Sequence, residues 1–425
     1  MDKNELFNGQ KEIKETKEIK EGQYRLFIDN RMIVVLHLSY SKVLRIDMKS
    51  QSITEDNQII ISNLNISAVH KPHAILGVVK MGVFSYLLCV EKCELVGKIN
   101  SAEIYKILKT SLVPLFQEHI SNIPEDINVE LNNLKNLLTM GFYYSFNCDL
   151  SNSLQRQYHK NFNIKESHNI DAKATAKYFW NYSINKRLVD AKVDKIWSVV
   201  CIFGYIRIDD VKLNDETVQL GLISRKSVNH PGIFYKAKGI KEYGHCANYV
   251  ETESLFIIKQ KVYSFVILRG SPPIKFGDEN FENNNLSEKK ISTSFQNHLV
   301  EIQQDFSYIM MINLMNELNP EEERLSKKFK SQFEISEIKN CKYHEFDMYN
   351  ICKNNDFENL DNFIKQRLLV ILDNFKYHCD NGEKDHLTEQ IGVIRLNCYD
   401  CLNRTNIFQS RVCWQILLNI VSDII

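Results

Sequence analysis

The stretch Arg395-Leu396-Asn397-Cys398-Tyr399-Asp400-Cys401-Leu402-Asn403-Arg404-Thr405-Asn406 constrains the fold of this chain more than any other. It sets a cysteine and an arginine either side of five residues, between two dissimilar apolar patterns. Before it, Ile391-Gly392-Val393-Ile394 is short and β-branched like a buried strand, and after it residues 407–420 carry apolar side chains at helical spacing. Strand, tight loop and helix in that order place the loop at a helix N-terminus. Inward backbone N–H groups and the helix dipole there hold an anion without a metal. The same field favours thiolate over thiol, and a cysteine beside an arginine in such a place can have its pKa drawn from about 8.5 to about 3.5–7.5. Cys398 is therefore the candidate nucleophile. Arg404 presents a planar fork of donors that matches two phosphoryl oxygens. The chemistry implied is phosphoryl transfer to sulfur followed by hydrolysis. Asp400 is the nearest candidate acid for the leaving alkoxide, and Thr405 is placed to donate to the sulfur. Tyr399, Cys401, Leu402, Asn403, Thr405 and Asn406 complete the candidate phosphate-binding loop.

Blander readings stand beside this one. A Cys-x5-Arg spacing arises by chance in a chain with 11 cysteines. Cys398 and Cys401 also form a Cys-x-x-Cys, which could be half of a zinc site or a redox pair. No second Cys-x-x-Cys follows in the sequence, so Cys401 reads as a packed loop residue or as a resolving thiol. His344 and Asp347 make only a weak metal pair, and neither metal nor cofactor is expected.

At these residues the chain resembles the Sac-domain phosphoinositide phosphatases, whose signature reads R-T-N-C-x-D-C-L-D-R-T-N. Further blocks follow in that family's order: Leu95-Val96-Gly97, Ile104-Tyr105-Lys106, Phe142-Tyr143-Tyr144-Ser145, Asp149-Leu150-Ser151-Asn152-Ser153-Leu154-Gln155-Arg156, Ala247-Asn248-Tyr249-Val250-Glu251-Thr252-Glu253 and Tyr343-His344-Glu345-Phe346-Asp347. The resemblance implies hydrolysis of a phosphate monoester on a phosphatidylinositol phosphate, with the 4-phosphate as leading substrate and a cysteinyl-phosphate intermediate. It implies a phosphoinositide lipid as partner, and a cytoplasmic protein peripheral to endoplasmic reticulum or Golgi membranes. The chain departs from the pattern at several points. Leu396 replaces a threonine, Asn403 the second loop aspartate, Phe234 an arginine, and Met348 and Tyr349 an aromatic and a histidine. The loss of the acid at Asn403 removes a group that could orient Arg404. A catalytically weak or inactive Sac-fold adaptor is therefore the alternative, and so is a protein phosphatase using the same loop. The family's catalytic module continues with further helices, so with Ile425 following Arg404 closely a missing supporting layer is an expectation.

Length and composition set the remaining bounds. A chain of 425 residues is too long for one ordinary core. The formal net charge of +0 gives no bulk attraction to nucleic acid or membrane, and no nucleic-acid partner is expected. Scattered cysteines without a signal peptide suggest a reducing compartment. No apolar run is long enough to span a bilayer.

The fold expected is α/β, or α+β taken overall. Residues 1–22 mix Lys and Glu as a mobile tail, 23–190 form a sheet-rich N-terminal Sac subdomain, and 191–425 an α/β catalytic domain carrying the Cys-x5-Arg loop. Residues 127–140, 172–184, 295–318 and 360–375 show helical spacing. Arg225, Lys226, His230, Lys236, Lys238 and Lys241 read either as a basic rim steering an inositol headgroup or as an ordinary solvated loop.

Overall fold

The computed structural model describes residues 22–29, 31–57, 68–116, 123–163, 174–213, 216–231, 238–258, 261–276, 288–380, 388–401 and 403–424. The chain groups into two compact units, one built mainly from 12–208 and the other mainly from 209–425, with residues 153–156 grouped with the second.

In the amino-terminal unit, β1 (Tyr24–Ile28), β2 (Met32–His37), β3 (Val43–Asp47), β4 (Ile53–Asp56) and β5 (Ala68–His70) form an antiparallel sheet in the order β4-β3-β2-β1-β5. A second antiparallel set comprises β6 (Ala74–Met81), β7 (Phe84–Ile99), β8 (Ala102–Pro114), β9 (Phe142–Tyr144) and the start of β10 (Cys201–Leu213), with α1 (Glu125–Leu138) between β8 and β9. Trp197, Tyr24, Leu26, Val35 and Leu87 share one core. There, α3 (Tyr182–Asp190) lies so close to β6 that a Cβ on Gly77 would sit 2.4 Å from the Ile184 carbonyl oxygen. Gly77 takes φ +130 at a bulge in the strand, a conformation open to glycine and costly for other residues. The helix between them, α2 (Leu154–Asn163), begins with residues 154–156 that group with the second unit.

The carboxyl-terminal unit changes pattern from antiparallel to parallel, and the parallel part positions the candidate site. β11 (Glu216–Lys226), β12 (Val250–Ile258) and β13 (Lys261–Arg269) run antiparallel. β17 (Gly392–Asn397) then pairs parallel with both β13 and β14 (Tyr308–Asn313), and β14 pairs parallel with β15 (Cys341–Glu345). β16 (His378–Asp380) adds to β13. Every residue of β17 is buried, as befits a strand covered on both faces. Its first residue must be glycine, because a Cβ there would lie 2.0 Å from the Phe375 ring.

Around these strands sit α4 (Glu288–Gln303), α5 (Pro320–Ser336), α6 (Met348–Ile351), α7 (Glu358–Phe363), α8 (Leu369–Phe375) and α9 (Asn403–Ile424). α9 buries Phe408, Val412, Ile416 and Ile420, four apart on one stripe, in the core that also holds Ile394 and Leu396 of β17. Among the described residues no helix is long and apolar enough to cross a membrane.

Residues 295–318 are not one helix. α4 ends at Gln303 and β14 follows, its Ile309-Met310-Met311-Ile312 run wholly buried between β15 and β17. A short, uniformly apolar run carries no period that separates strand from helix. Residues 172–184 likewise divide, into a 3-10 turn at Ala176–Tyr178 and the start of α3.

Candidate active site

The strands β13, β14, β15 and β17 come to their C-terminal ends together. Arg269 lies opposite Leu396, and Asn313 lies opposite both Asn397 and Glu345. In parallel sheets, ligands bind at this edge. Asn397 Nδ2 donates to Asn313 Oδ1 at 2.7 Å, and Leu314 N to the Asn397 carbonyl at 2.9 Å, so the loop after β17 starts from a fixed point.

Cys398, Tyr399, Asp400 and Cys401 occupy this loop, and α9 begins at Asn403. Cys398 is fully buried. Its sulfur receives the backbone N–H of Cys401 at 3.0 Å and lies 3.3 Å from Asp400 Oδ1. Cys401 turns the chain with φ +59, a left-handed conformation that a non-glycine residue adopts at some cost. Arg404 is half-buried in the first turn of α9. Its Nη1 and Nη2 donate to the two Glu322 oxygens at 2.6 and 3.2 Å, and Nη1 also reaches the Leu314 carbonyl at 3.2 Å. Thr405 is fully buried, while Asn403 and Asn406 face outward and Asn406 accepts from Gln409 Nε2 at 3.4 Å. Leu402 lies outside the described residues.

Two further guanidinium groups lie under the loop. Arg395 is fully buried, donating to the carbonyls of Gly270 at 3.0 Å, Ser271 at 2.8 Å and Leu396, and to His298 Nε2 at 3.3 Å. Arg269 Nη1 donates to the Cys401 carbonyl at 2.8 Å. At the rim, the Tyr399 hydroxyl donates to Glu321 Oε1 at 2.8 Å and meets Lys238 Nζ at 2.5 Å, with the ammonium 4.1 Å from the ring centre.

The resting charge differs from the expectation of a depressed Cys398. Its thiol is pushed up by the hydrogen bond to the Cys401 sulfur, then by burial and by the Cys401 and Asp400 charges, while the Arg404 and Arg269 charges act in the opposite direction. Cys401 lies lower than an ordinary thiol. Burial opposes its ionisation, but hydrogen bonds from Cys398 and the charges of Arg395 and Arg269 outweigh it. Arg404 is held protonated against burial chiefly by Glu322.

Of the expected basic rim, Lys238 meets the loop at Tyr399. Arg225 is fully buried and pairs with Glu251 at 3.1 Å and Glu253 at 2.6 Å, Lys226 is buried, Lys241 is exposed, and Lys236 and Phe234 lie outside the described residues. Asp347 caps α6, accepting from Asn350 N at 3.1 Å and Glu317 N at 2.8 Å. Glu322 was not singled out from the sequence, although a signal was there. Asn319-Pro320-Glu321-Glu322 is a helix start, with Asn319 accepting from the N–H groups of Glu321 and Glu322 and proline at the first helical position.

The SacI homology domain model matches residues 73–353, about two thirds of the chain, and so ends before Cys398. A phosphoinositide phosphatase of Arabidopsis thaliana, SAC7, is 26% identical over 399 residues, covering 91% of this chain and 66% of its own length. The phosphatidylinositol-3-phosphatase SAC1 of Drosophila melanogaster is 27% identical over 81% of this chain and 59% of its own length. Human synaptojanin-2 is 27% identical over 78% of this chain and 22% of its own. The chain belongs to the SacI homology domain family. It spans less than two thirds of the length of these relatives.

Proposed function

We propose that the chain is a phosphoinositide phosphatase that removes a phosphate monoester through a cysteinyl-phosphate intermediate at a membrane surface. The observation that carries this reading is the Cys398 sulfur held between the Cys401 N–H and the Asp400 carboxylate, in a loop backed by Arg269, Arg395 and Arg404. Proton transfer from Cys398 to Asp400, 3.3 Å away, forms thiolate and carboxylic acid in one step. The thiolate lone pair attacks phosphorus, the bond from phosphorus to the inositol oxygen breaks, and Asp400 protonates the departing alkoxide. Water then attacks the cysteinyl-phosphate while Asp400 takes its proton. The S–P bond breaks, and phosphate leaves a thiolate that the Cys401 N–H supports.

Glu322 occupies the Nη1–Nη2 edge of Arg404. A guanidinium has a second planar edge, Nε with Nη2, and that edge is the one assigned to two phosphoryl oxygens. Tyr399 and Cys401 are assigned to the phosphate cradle, with the buried Thr405 supporting it. Phosphatidylinositol 4-phosphate is the leading substrate on the sequence resemblance, and the 3-phosphate for which the Drosophila relative is named is its first competitor.

Phosphate release from short-chain 3-, 4- and 5-phosphate isomers, by the wild-type chain beside Cys398→Ser, tests the reading. Release from at least one isomer, lost on substitution, is expected; release that survives the substitution overturns the mechanism. The buried, raised Cys398 thiol and the occupied Arg404 edge favour a second reading, a phosphoinositide-binding adaptor. Folded protein that binds these lipids without turnover would decide for it.

A further inference from the structure

The catalytic reading leaves unexplained what aims Arg404 when Asn403 stands where the family carries an acid. We propose that Glu322 is the positioning residue for Arg404, and that the first turn of α5 sets the geometry of the phosphate loop from outside it. This rests on the phosphatase reading for its consequence, though its geometry does not. Both Glu322 oxygens engage the guanidinium, at 2.6 and 3.2 Å, in a bidentate pairing that fixes its plane as well as its position. Glu322 is itself held. Its Oε2 accepts the Asn316 N–H at 2.8 Å, and Asn319 caps the turn it stands on. Arg404 closes the ring through the Leu314 carbonyl at 3.2 Å. Residues 314–322 and the start of α9 are thus tied into one cycle of polar contacts. The adjoining Glu321 grips the same loop at Tyr399, at 2.8 Å. An arginine plane set before substrate arrives costs no reorganisation in the transition state.

The test separates aiming from charge. Glu322→Gln keeps length and loses the charge, whereas Glu322→Asp keeps the charge and shortens the reach. Orthovanadate mimics the trigonal phosphoryl of the transition state and inorganic phosphate the ground state, so their affinities are compared by calorimetry in the wild-type chain and both variants. Glu322→Gln is expected to weaken vanadate by about tenfold or more while phosphate changes less than about threefold, with kcat falling and KM nearly constant. In an Arg404→Lys background the same substitution should cost nothing further. If Glu322→Gln does not fold, Glu322→Asp must show the same vanadate-to-phosphate split. Equal loss for both anions, no loss for either, or full additivity with Arg404→Lys overturns the proposal. A wild-type chain that turns over no phosphoinositide yet shows the split would sink the phosphatase reading and leave Glu322 in its role. Turnover unaffected by Glu322→Gln would do the reverse.

Discussion

The two units treat buried charge in opposite ways. In the carboxyl-terminal unit Arg225, Lys226, Glu251, Glu253, Lys275, Asp347 and Arg395 are all buried; among the described residues of the amino-terminal unit no Asp, Glu, Lys or Arg is. That unit keeps its ions at the surface, as in the cluster where Lys42 meets Glu55 at 2.6 Å and Asp194 at 2.9 Å. Moving a charge out of water costs several kcal/mol even after relaxation, so a fold does it rarely and where something is gained. The carboxyl-terminal unit does it in two distinct ways. Arg225 and Arg156 are matched by Glu251 and Glu253, and that network neutralises itself. Arg395 has no carboxylate partner among the described residues; it meets carbonyls, an imidazole and, at 5.8 Å, the Tyr249 ring. Its positive charge is left for what lies above it, the Cys398–Cys401 pair and the anion the loop would hold.

The contrast can be broken most sharply at the loop. Asp400→Asn should lower phosphate release by about 10²–10⁴-fold without shifting the urea unfolding midpoint, since the residue acts on protons and not on packing. A loss matched by unfolding would place Asp400 in the structure instead. Arg225→Ala leaves the buried Glu253 without its cation while Glu251 keeps Arg156, and should cost about 3–5 kcal/mol in urea denaturation. The same truncation of Lys42, at a half-buried cluster still open to water, should cost about 1 kcal/mol. Comparable losses at the two sites would erase the distinction between the units.

A smaller effect should ignore that distinction. Buried thiols occur in both units. Burial pushes Cys413 up to about 11 and Cys341 up to about 12, and raises Cys89 and Cys201 as well. An unfolded thiol ionises near about 8.5, so above that pH the native state binds more protons than the unfolded one. Stability is therefore whole below that value and declines as pH rises toward the folded values. Urea midpoints at about pH 7 and about pH 10 should differ in that direction. A midpoint that rises would contradict the burial of these groups.

The loop was legible because its parts are local: a β-branched run, a spaced cysteine and arginine, and a helical stripe lie within thirty-odd residues of one another. Other features depend on partners distant in sequence. Glu322 and Arg404 are 82 residues apart, and Arg395 meets Gly270 from 125 away. Glu251 and Glu253, two apart on a strand, have no partner near them in sequence; β11 supplies one, with Arg225 opposite Glu251. β14 lies inside a stretch whose spacing suggests helix, because a uniformly buried strand has no polar face to mark its period. The raised Cys398 thiol had no signal in the spacing either, since it comes from a second sulfur and a carboxylate folded onto the first.

The claim on which all this depends is that the Cys398 sulfur takes the phosphoryl group. Single turnover of short-chain phosphatidylinositol 4-phosphate by the wild-type chain, stopped in alkaline denaturant before the first turnover is complete and read by peptide mass, tests it directly. One phosphoryl mass should appear transiently on the peptide carrying Cys398, and mild acid or iodine, which cleave an S–P bond, should release it as phosphate. Turnover with no adduct there, or an adduct that persists in Cys398→Ser, would contradict it.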